Sequence, residues 1–290
     1  MVTPLAPQQL AGILPRQAVR MVQDALQAAG CPDADYDARE LLRIATGKDP
    51  HLLFDPLTRP QAECLAELAA QRMQRVPLQY LVGEWDFLGL TFKVGPGVLC
   101  PRADSEVVCE TAIELLQQMG KPEPRVLDLC AGTGCLGIGI RHFVPSASVT
   151  CVEKSPQALR YLQANVHGTG VQAKAADVLQ YWRELMPQSV QLIISNPPYL
   201  TGAEMQALMP ETAHEPAMAL DGGTDGLDFY RAIAAHYRDI VCPGGWLVFE
   251  IGCAQRADVM EICRQNGWQQ VQARKDYGGN DRVVYAQRVK

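Results

Sequence analysis

Apolar residues recur at helical spacing along the first part of the chain. Between residues 16 and 29 they fall at Val19, Val22, Leu26 and Ala29, three or four apart, and Gly30 follows as a stop signal. Residues 36–46 repeat the pattern and close on Gly47, with Asp33 or Asp35 placed to cap the start. Residues 59–75 set Leu65, Leu68, Ala69 and Met73 on one face, and Pro77 forbids continuation. Residues 1–76 therefore predict a small helical bundle. Over residues 77–101 the pattern changes. Aromatic and apolar residues such as Tyr80, Trp85, Phe87 and Phe92 alternate with turn residues, punctuated by Gly83, Gly89, Gly95 and Gly97. That spacing predicts a β-hairpin connector, either a substrate-binding ribbon or packing between two domains.

From residue 102 to 290 strand and helix patterns alternate, which predicts a mostly parallel sheet with helices on both faces. Strands are expected at 125–129, 148–152, 171–175, 190–194 and 245–250. Segments 269–273 and 282–287 lie close enough to form an antiparallel final pair.

Composition narrows the class. The 290 residues are 48 % hydrophobic and 20 % charged, an ordinary globular balance with room for two domains. The net charge of −6 argues against a protein that grips nucleic acid backbone, which calls for a basic face. No apolar run reaches the roughly 18 residues that cross a bilayer, and residues 1–14 carry no leader pattern. A cytoplasmic protein without membrane association is expected, with a monomer as the default. The ten cysteines include no C-x-x-C pair and sit in apolar segments. They read as reduced core thiols, and no metal site is expected.

Two motifs carry the chemistry. After the first expected strand comes Asp128-Leu-Cys130-Ala131-Gly132-Thr133-Gly134-Cys-Leu-Gly137. A glycine-rich turn between strand and helix lets the backbone approach a ligand and offers free helix N–H groups. The G-x-G-x-x-G spacing alone also fits a dinucleotide. Glu153, at the end of the second strand, accepts ribose hydroxyls of either ligand. Asp128 inside the strand reaches a positively charged methionine end or fixes the turn, and Asp177 is a helix cap or an acceptor for an adenine amino group. An acidic cluster suits a cofactor carrying a sulfonium and an ammonium, and suits a pyrophosphate poorly. That points to S-adenosyl-L-methionine, with S-adenosyl-L-homocysteine as product.

The fourth strand runs into Asn196-Pro197-Pro198-Tyr199. Such a segment is either a stiff turn or a catalytic loop at the carboxyl edge of the sheet, where ligands of open α/β folds bind. Two prolines remove two N–H donors and leave carbonyls that no local turn quenches. The Asn196 side-chain carbonyl and the Pro197 backbone carbonyl can each accept one N–H of a planar amide or amine. That aims the nitrogen lone pair at a methyl group and stabilises the charge that grows on nitrogen. Tyr199 adds an aromatic face for a flat group. No base is needed before attack, and His142, His214 and His236 are assigned no role.

These residues resemble the peptide chain release factor glutamine methyltransferases. The tetrad is similar to that of methyltransferases acting on planar nitrogens. The stretch from Val98 through Pro101-Arg102-Ala103-Asp104-Ser-Glu106 resembles the (I/V)PRP(D/E)TE signature of the family. The stretches at 128–134, 214–220, 221–230 and 275–282 resemble it too. The resemblance implies a class I methyltransferase, with a Rossmann-like, mostly parallel seven-stranded sheet and an antiparallel last strand. It implies N5-methylation of the glutamine in the Gly-Gly-Gln motif of class I release factors, gripped by the helical domain and hairpin. It also implies that Asn196, Pro197, Pro198 and Tyr199 bind the substrate amide. By the same carry-over Asp128, Cys130, Ala131, Gly132, Thr133, Gly134, Glu153, Asp177, Val178 and Asn196 line the cofactor site. Cys130-Ala131 stands where many relatives have Gly-Thr, and Ala103 replaces a second proline. An adenine-N6 methyltransferase of DNA or RNA and a glutamine methyltransferase of a ribosomal protein fit the same tetrad. The acidic balance and the short helical domain weigh against both. A non-catalytic release-factor binder has no use for an intact tetrad and glycine turn.

Overall fold

A computed structural model describes residues 3–289. It divides into two compact units. The first runs to Glu84 and takes in Met209–His214; the second comprises Trp85–Leu208 and Glu215 onward.

The first unit is built on the helices Pro15–Ala28, Ala34–Thr46 and Arg59–Met73, with a short turn of helix at Leu78–Val82. The apolar stripe expected from the spacing is buried: Val22, Leu26, Leu41, Leu42 and Leu65 are all fully covered. Each such side chain contributes about 2 kcal/mol when removed from water. A charged group is also buried here. Arg72, 4 % exposed, donates through Nε to Asp37 at 2.7 Å and through Nη2 to Glu211 at 3.0 Å. Arg75 closes on Glu211 with two bonds of 2.6 Å.

The hairpin is shorter than its sequence pattern suggests. Leu78–Val82 is helical, because Pro77 fixes the dihedral of the entry and Gly83, at φ +82°, stops the turn. The alternation at Tyr80 and Val82 belongs to this helix. Only β1 (Glu84–Phe87) and β2 (Leu90–Lys93) pair. Leu88 and Gly89 both take positive φ at the two-residue turn. Phe87 and Phe92, each 1 % exposed, enter the core of the second unit.

The remaining strands are β3 (Arg125–Leu129), β4 (Ser148–Glu153), β5 (Gln172–Ala175), β6 (Val190–Ser195), β7 (Val241–Glu250), β8 (Gln269–Lys275) and β9 (Asp281–Gln287). They form one seven-stranded sheet in the order β5-β4-β3-β6-β7-β9-β8. The first five positions are parallel, and β9 and β8 run antiparallel to their neighbours. Alternate residues of a strand face opposite sides. Val126, Val149, Leu192 and Ile194 join one core cluster, and Leu127, Leu129, Ile193 and Phe249 the other. Among the described residues no helix is long and apolar enough to cross a membrane.

Candidate active site

Register brings the two motifs together. Leu129 at the end of β3 pairs with Val152 on one side and Ser195 on the other. The chain therefore leaves three adjacent strands at one edge, presenting the glycine turn, Glu153 and the tetrad side by side. Ser195 fastens the join, donating its Oγ–H to the Leu129 carbonyl at 2.7 Å. A cavity opens at this edge. Its lining includes Cys130, Ala131, Gly132, Thr133, Glu153, Asp177, Val178, Asn196 and Pro198.

The glycine turn is held by its own backbone. The Ala131 amide donates to the Val152 carbonyl at 3.0 Å and the Gly134 amide to Ala131 at 2.7 Å. Gly134, at φ +82°, precedes the helix Cys135–Phe143. Cys130 also sits at a positive φ of 60°. A glycine at that position would serve backbone conformation, not only small size, and the cysteine holds a strained turn costing about 1 kcal/mol. Asn165 ties turn to hairpin, donating to the carbonyls of Thr133 at 3.0 Å and Lys93 at 3.1 Å.

The three carboxylates read from sequence take different positions. Asp128 is fully buried on the core side of β3 and lies outside the cavity lining. Its Oδ2 accepts the Gly137 amide at 2.9 Å and the Cys151 thiol at 3.6 Å, while Oδ1 has no partner among the described residues. The Gly137 bond ties β3 to the start of the helix that follows the glycine turn. Burial pushes its pKa up to about 7, only partly offset by the Gly137 amide. Glu153 lines the cavity and accepts amides from Gly132 at 2.9 Å, Lys154 at 2.8 Å and Ser155 at 2.7 Å. Three such bonds fix the carboxylate and leave about one of its four lone pairs, on Oε2, for a ligand hydroxyl. Asp177 caps the turn at Leu179, accepting its amide at 3.0 Å, and pairs with Lys154 Nζ at 2.8 Å. Burial opposes its ionisation, but Lys154 and the Leu179 amide outweigh that and hold its pKa below the ordinary range.

Asn196 is half-buried on the cavity wall, and among the described residues its side-chain amide meets no protein hydrogen-bond partner. Pro197 and Pro198 are buried. Pro198 lines the cavity, while Pro197 and Tyr199 lie behind the lining. The Tyr199 hydroxyl is pushed up to about 12, first by burial and then by the charge of Glu250. Glu250, at the end of β7, is 2 % exposed. Burial pushes it up to about 7, with Ser105 and the Arg282 charge opposing, and its Oε2 has no partner among the described residues. Arg282 in turn bonds Asp276 at 3.1 Å, Asp104 at 3.3 Å and the Ile251 carbonyl at 3.3 Å.

Sequence reasoning missed several wall residues. Val98, Arg102 and Ser105 come from the segment before the sheet, and Pro216, Met218 and Phe229 from the segment after the tetrad. Both stretches resembled family signatures, but no local chemistry marked their side chains as wall. The donor set fits the cofactor suggested by the sequence. Glu153 suits a ribose hydroxyl, Asp177 an amino group, and Val98, Val152, Val178 and Phe229 supply apolar walls. Among the described residues no group of side chains could hold a metal ion.

The seven-stranded sheet with its antiparallel end, and the glycine turn beside an Asn-Pro-Pro-Tyr loop, define a class I methyltransferase. The family model described as "Methyltransferase small domain" matches residues 90–223 and the "PrmC N-terminal domain" residues 17–83. A release factor glutamine methyltransferase of Geobacter sulfurreducens is 38 % identical over 89 % of this chain and 91 % of its own. One of Cereibacter sphaeroides is 39 % identical over 93 % of this chain and 96 % of its own. The chain belongs to the release factor glutamine methyltransferase family. A methyltransferase structure from Pyrococcus furiosus shares the fold at 14 % identity, with TM-score 0.50, over 70 % of this chain and 90 % of that one.

Proposed function

We propose that this enzyme methylates the side-chain amide nitrogen of the glutamine in the Gly-Gly-Gln motif of class I peptide chain release factors. The reading rests on one observation. Asn196 presents an uncommitted carboxamide at the cavity wall, one strand away from the glycine turn. The names of the relatives, which act on release factors, support the choice of substrate. S-adenosyl-L-methionine supplies an electrophilic methyl group. Glu153 would hold its ribose, Asp177 and Val178 its base, and the backbone of residues 130–134 its methionine end.

The protein's part is orientation. The Asn196 Oδ1 accepts one N–H of the glutamine amide and the Pro197 carbonyl the other. Two acceptors fix the plane of the amide, turn its lone pair toward the cofactor side and favour the charge that grows on nitrogen. The surplus proton leaves after transfer, so no general base is required. The helical unit would receive the protein partner, and exposed Leu14, Tyr36, Leu52 and Phe54 give it apolar contact surface.

The test is methyl transfer from radiolabelled cofactor to purified release factor, to its Gln→Ala loop variant and to duplex DNA. Label on the intact factor alone is expected; label on DNA but not on the factor overturns the reading. Asn196→Ala should lower kcat by roughly 10²-fold or more while cofactor affinity changes little. Equal losses of both, by kinetics and calorimetry, would instead make Asn196 a cofactor ligand.

A further inference from the structure

The tetrad leaves β6 without a following strand to hold it, yet its backbone is gripped from behind. Leu200 exchanges backbone bonds with the next segment: its amide donates to Leu220 at 2.8 Å, and its carbonyl accepts the Gly222 amide at 2.9 Å. Gly222 lies so near that a Cβ there would stand 2.7 Å from Tyr199 Cα and 2.8 Å from the Pro198 carbonyl oxygen. A Cβ on Gly226 would overlap the Tyr199 carbonyl oxygen.

One side chain joins these pieces. Gln255 stands just before the helix Arg256–Gln265. Its Nε2 donates to the Tyr199 carbonyl at 2.9 Å and lies 3.3 Å from the Gly226 carbonyl. Its Oε1 accepts the Gly252 amide at 3.0 Å, with the Tyr230 hydroxyl 3.4 Å away. Two carbonyls against one atom and an N–H against the other fix which way the amide points. Gln255 is absent from the cavity lining, and it meets the tetrad through the backbone carbonyl of Tyr199.

We propose that Gln255 is a positioning residue for methyl transfer. Through the Tyr199 carbonyl it sets where Pro197 and Asn196 present their acceptors. The role follows from geometry. The tetrad carries the acceptors on Asn196 and Pro197, joined to Tyr199 through two buried prolines, so a shift at Tyr199 is passed along a stiff segment rather than absorbed. A displacement of about 1 Å of a reacting group costs on the order of 10²-fold in rate. Among the described residues no comparable tether from Gln255 reaches the glycine turn, so its loss should leave cofactor affinity unchanged. The inference rests on the proposed methyl transfer to release factor, which the wild-type enzyme must first show in the same assay. Only ratios of variant to wild type then bear on Gln255.

Gln255→Met keeps the length and removes both hydrogen-bonding atoms. It should lower kcat roughly 10- to 100-fold, with the cofactor Kd from calorimetry within about twofold of wild type. Gln255→Glu separates positioning from bulk structure. It keeps the acceptor for Gly252 but turns an oxygen toward two carbonyls, unless that carboxyl is protonated and donates to Tyr199 as the amide did. Its kcat relative to wild type should therefore rise as pH falls from 8 to 6, while the relative kcat of Gln255→Met stays flat. The inference is overturned if Gln255→Met keeps kcat within about twofold of wild type. It is also overturned if kcat and cofactor affinity fall together. If Gln255→Met does not fold, the pH profile of Gln255→Glu decides: an acid rise supports positioning, and a flat profile or a second failure to fold makes Gln255 a structural residue only.

Discussion

The two rims of the cavity are assembled over very different lengths of chain. On the cofactor rim, Asp128 fastens the helix start at Gly137 across nine residues, and Gly132 meets Glu153 across 21. On the acceptor rim, the carbonyl of Tyr199 is held by Gln255 across 56 residues, and Gln255 approaches Gly226 across 29. The first rim is two adjacent strands, β3 and β4, with the turn and helix that connect them, close together in the chain. The second is a short stiff loop whose position is decided by elements arriving from elsewhere. Damage to the first rim should therefore show in cofactor affinity, and damage to the second in turnover.

Gly226→Ala should make the largest difference between the rims. Gly226 has φ +73°, and a Cβ there collides with the Tyr199 carbonyl oxygen and lies 2.8 Å from Gln255 Nε2. Neither the strained backbone nor the tetrad carbonyl can yield cheaply. A kcat loss on the order of 10²-fold is expected with cofactor affinity spared. Gly137→Ala is the counterpart on the other rim. Its Cβ would overlap the Cys151 sulfur and stand 3.0 Å from Asp128 Oδ2. Overpacking of this kind costs about 1–3 kcal/mol. A lower Tm and a cofactor Kd weaker by roughly tenfold are expected, with kcat at saturating cofactor near wild type. If Gly137→Ala reduced kcat and Gly226→Ala reduced affinity, the division of labour would be reversed.

The same contrast decides what the sequence reveals. Strands β3, β4 and β6 are legible because each is a short apolar run, and the glycine turn because its motif is contiguous; of β7 only the apolar half from Gly245 to Glu250 is legible, since the strand begins at Val241 and passes Pro243 and Gly244. The helices of the first unit followed from their 3.6-residue stripes. Leu78–Val82 was misread because one helical turn is too short for its period to differ from strand alternation. Asp128 and Asp177 were legible as carboxylates near the site, but which way each points depends on strand facing and on Lys154. Gln255 carried no local signal. Its neighbours in the chain, exposed Ala254 and Arg256, are unremarkable, and apart from Gly252, three residues before it, its partners Tyr199 and Gly226 lie in two other segments. Long-range backbone packing is invisible to periodicity, and the acceptor rim consists largely of it.

The smallest effect compares the two buried carboxyls, one behind each rim. Asp128 and Glu250 are both pushed up to about 7 by burial, each with one oxygen unpartnered among the described residues. A carboxyl whose pKa is higher in the folded chain than in the unfolded one is neutral in both states at low pH and affects stability there not at all. As pH rises through the unfolded value, about 4, the unfolded chain gives up its proton while the folded chain keeps it. Stability therefore falls as pH rises from about 4 to about 7, and stays at its lower level above the folded pKa. Glu250→Gln and Asp128→Asn abolish the ionisation that causes this fall. Each variant should show a shallower drop in Tm between pH 5 and pH 7.5 than wild type, and the double variant the shallowest. The two should part in solvent-facing consequences. Asn at 128 still offers Oδ1 to the Gly137 amide, so the cofactor turn keeps its tie. Gln at 250 removes the negative charge that faces Tyr199 and Arg282, so the pH dependence of kcat should change in Glu250→Gln and not in Asp128→Asn. A Tm–pH slope equal to wild type in both variants would show that these carboxyls ionise alike in the folded and unfolded chain, and that burial behind the rims leaves them as accessible to charge as the surface does.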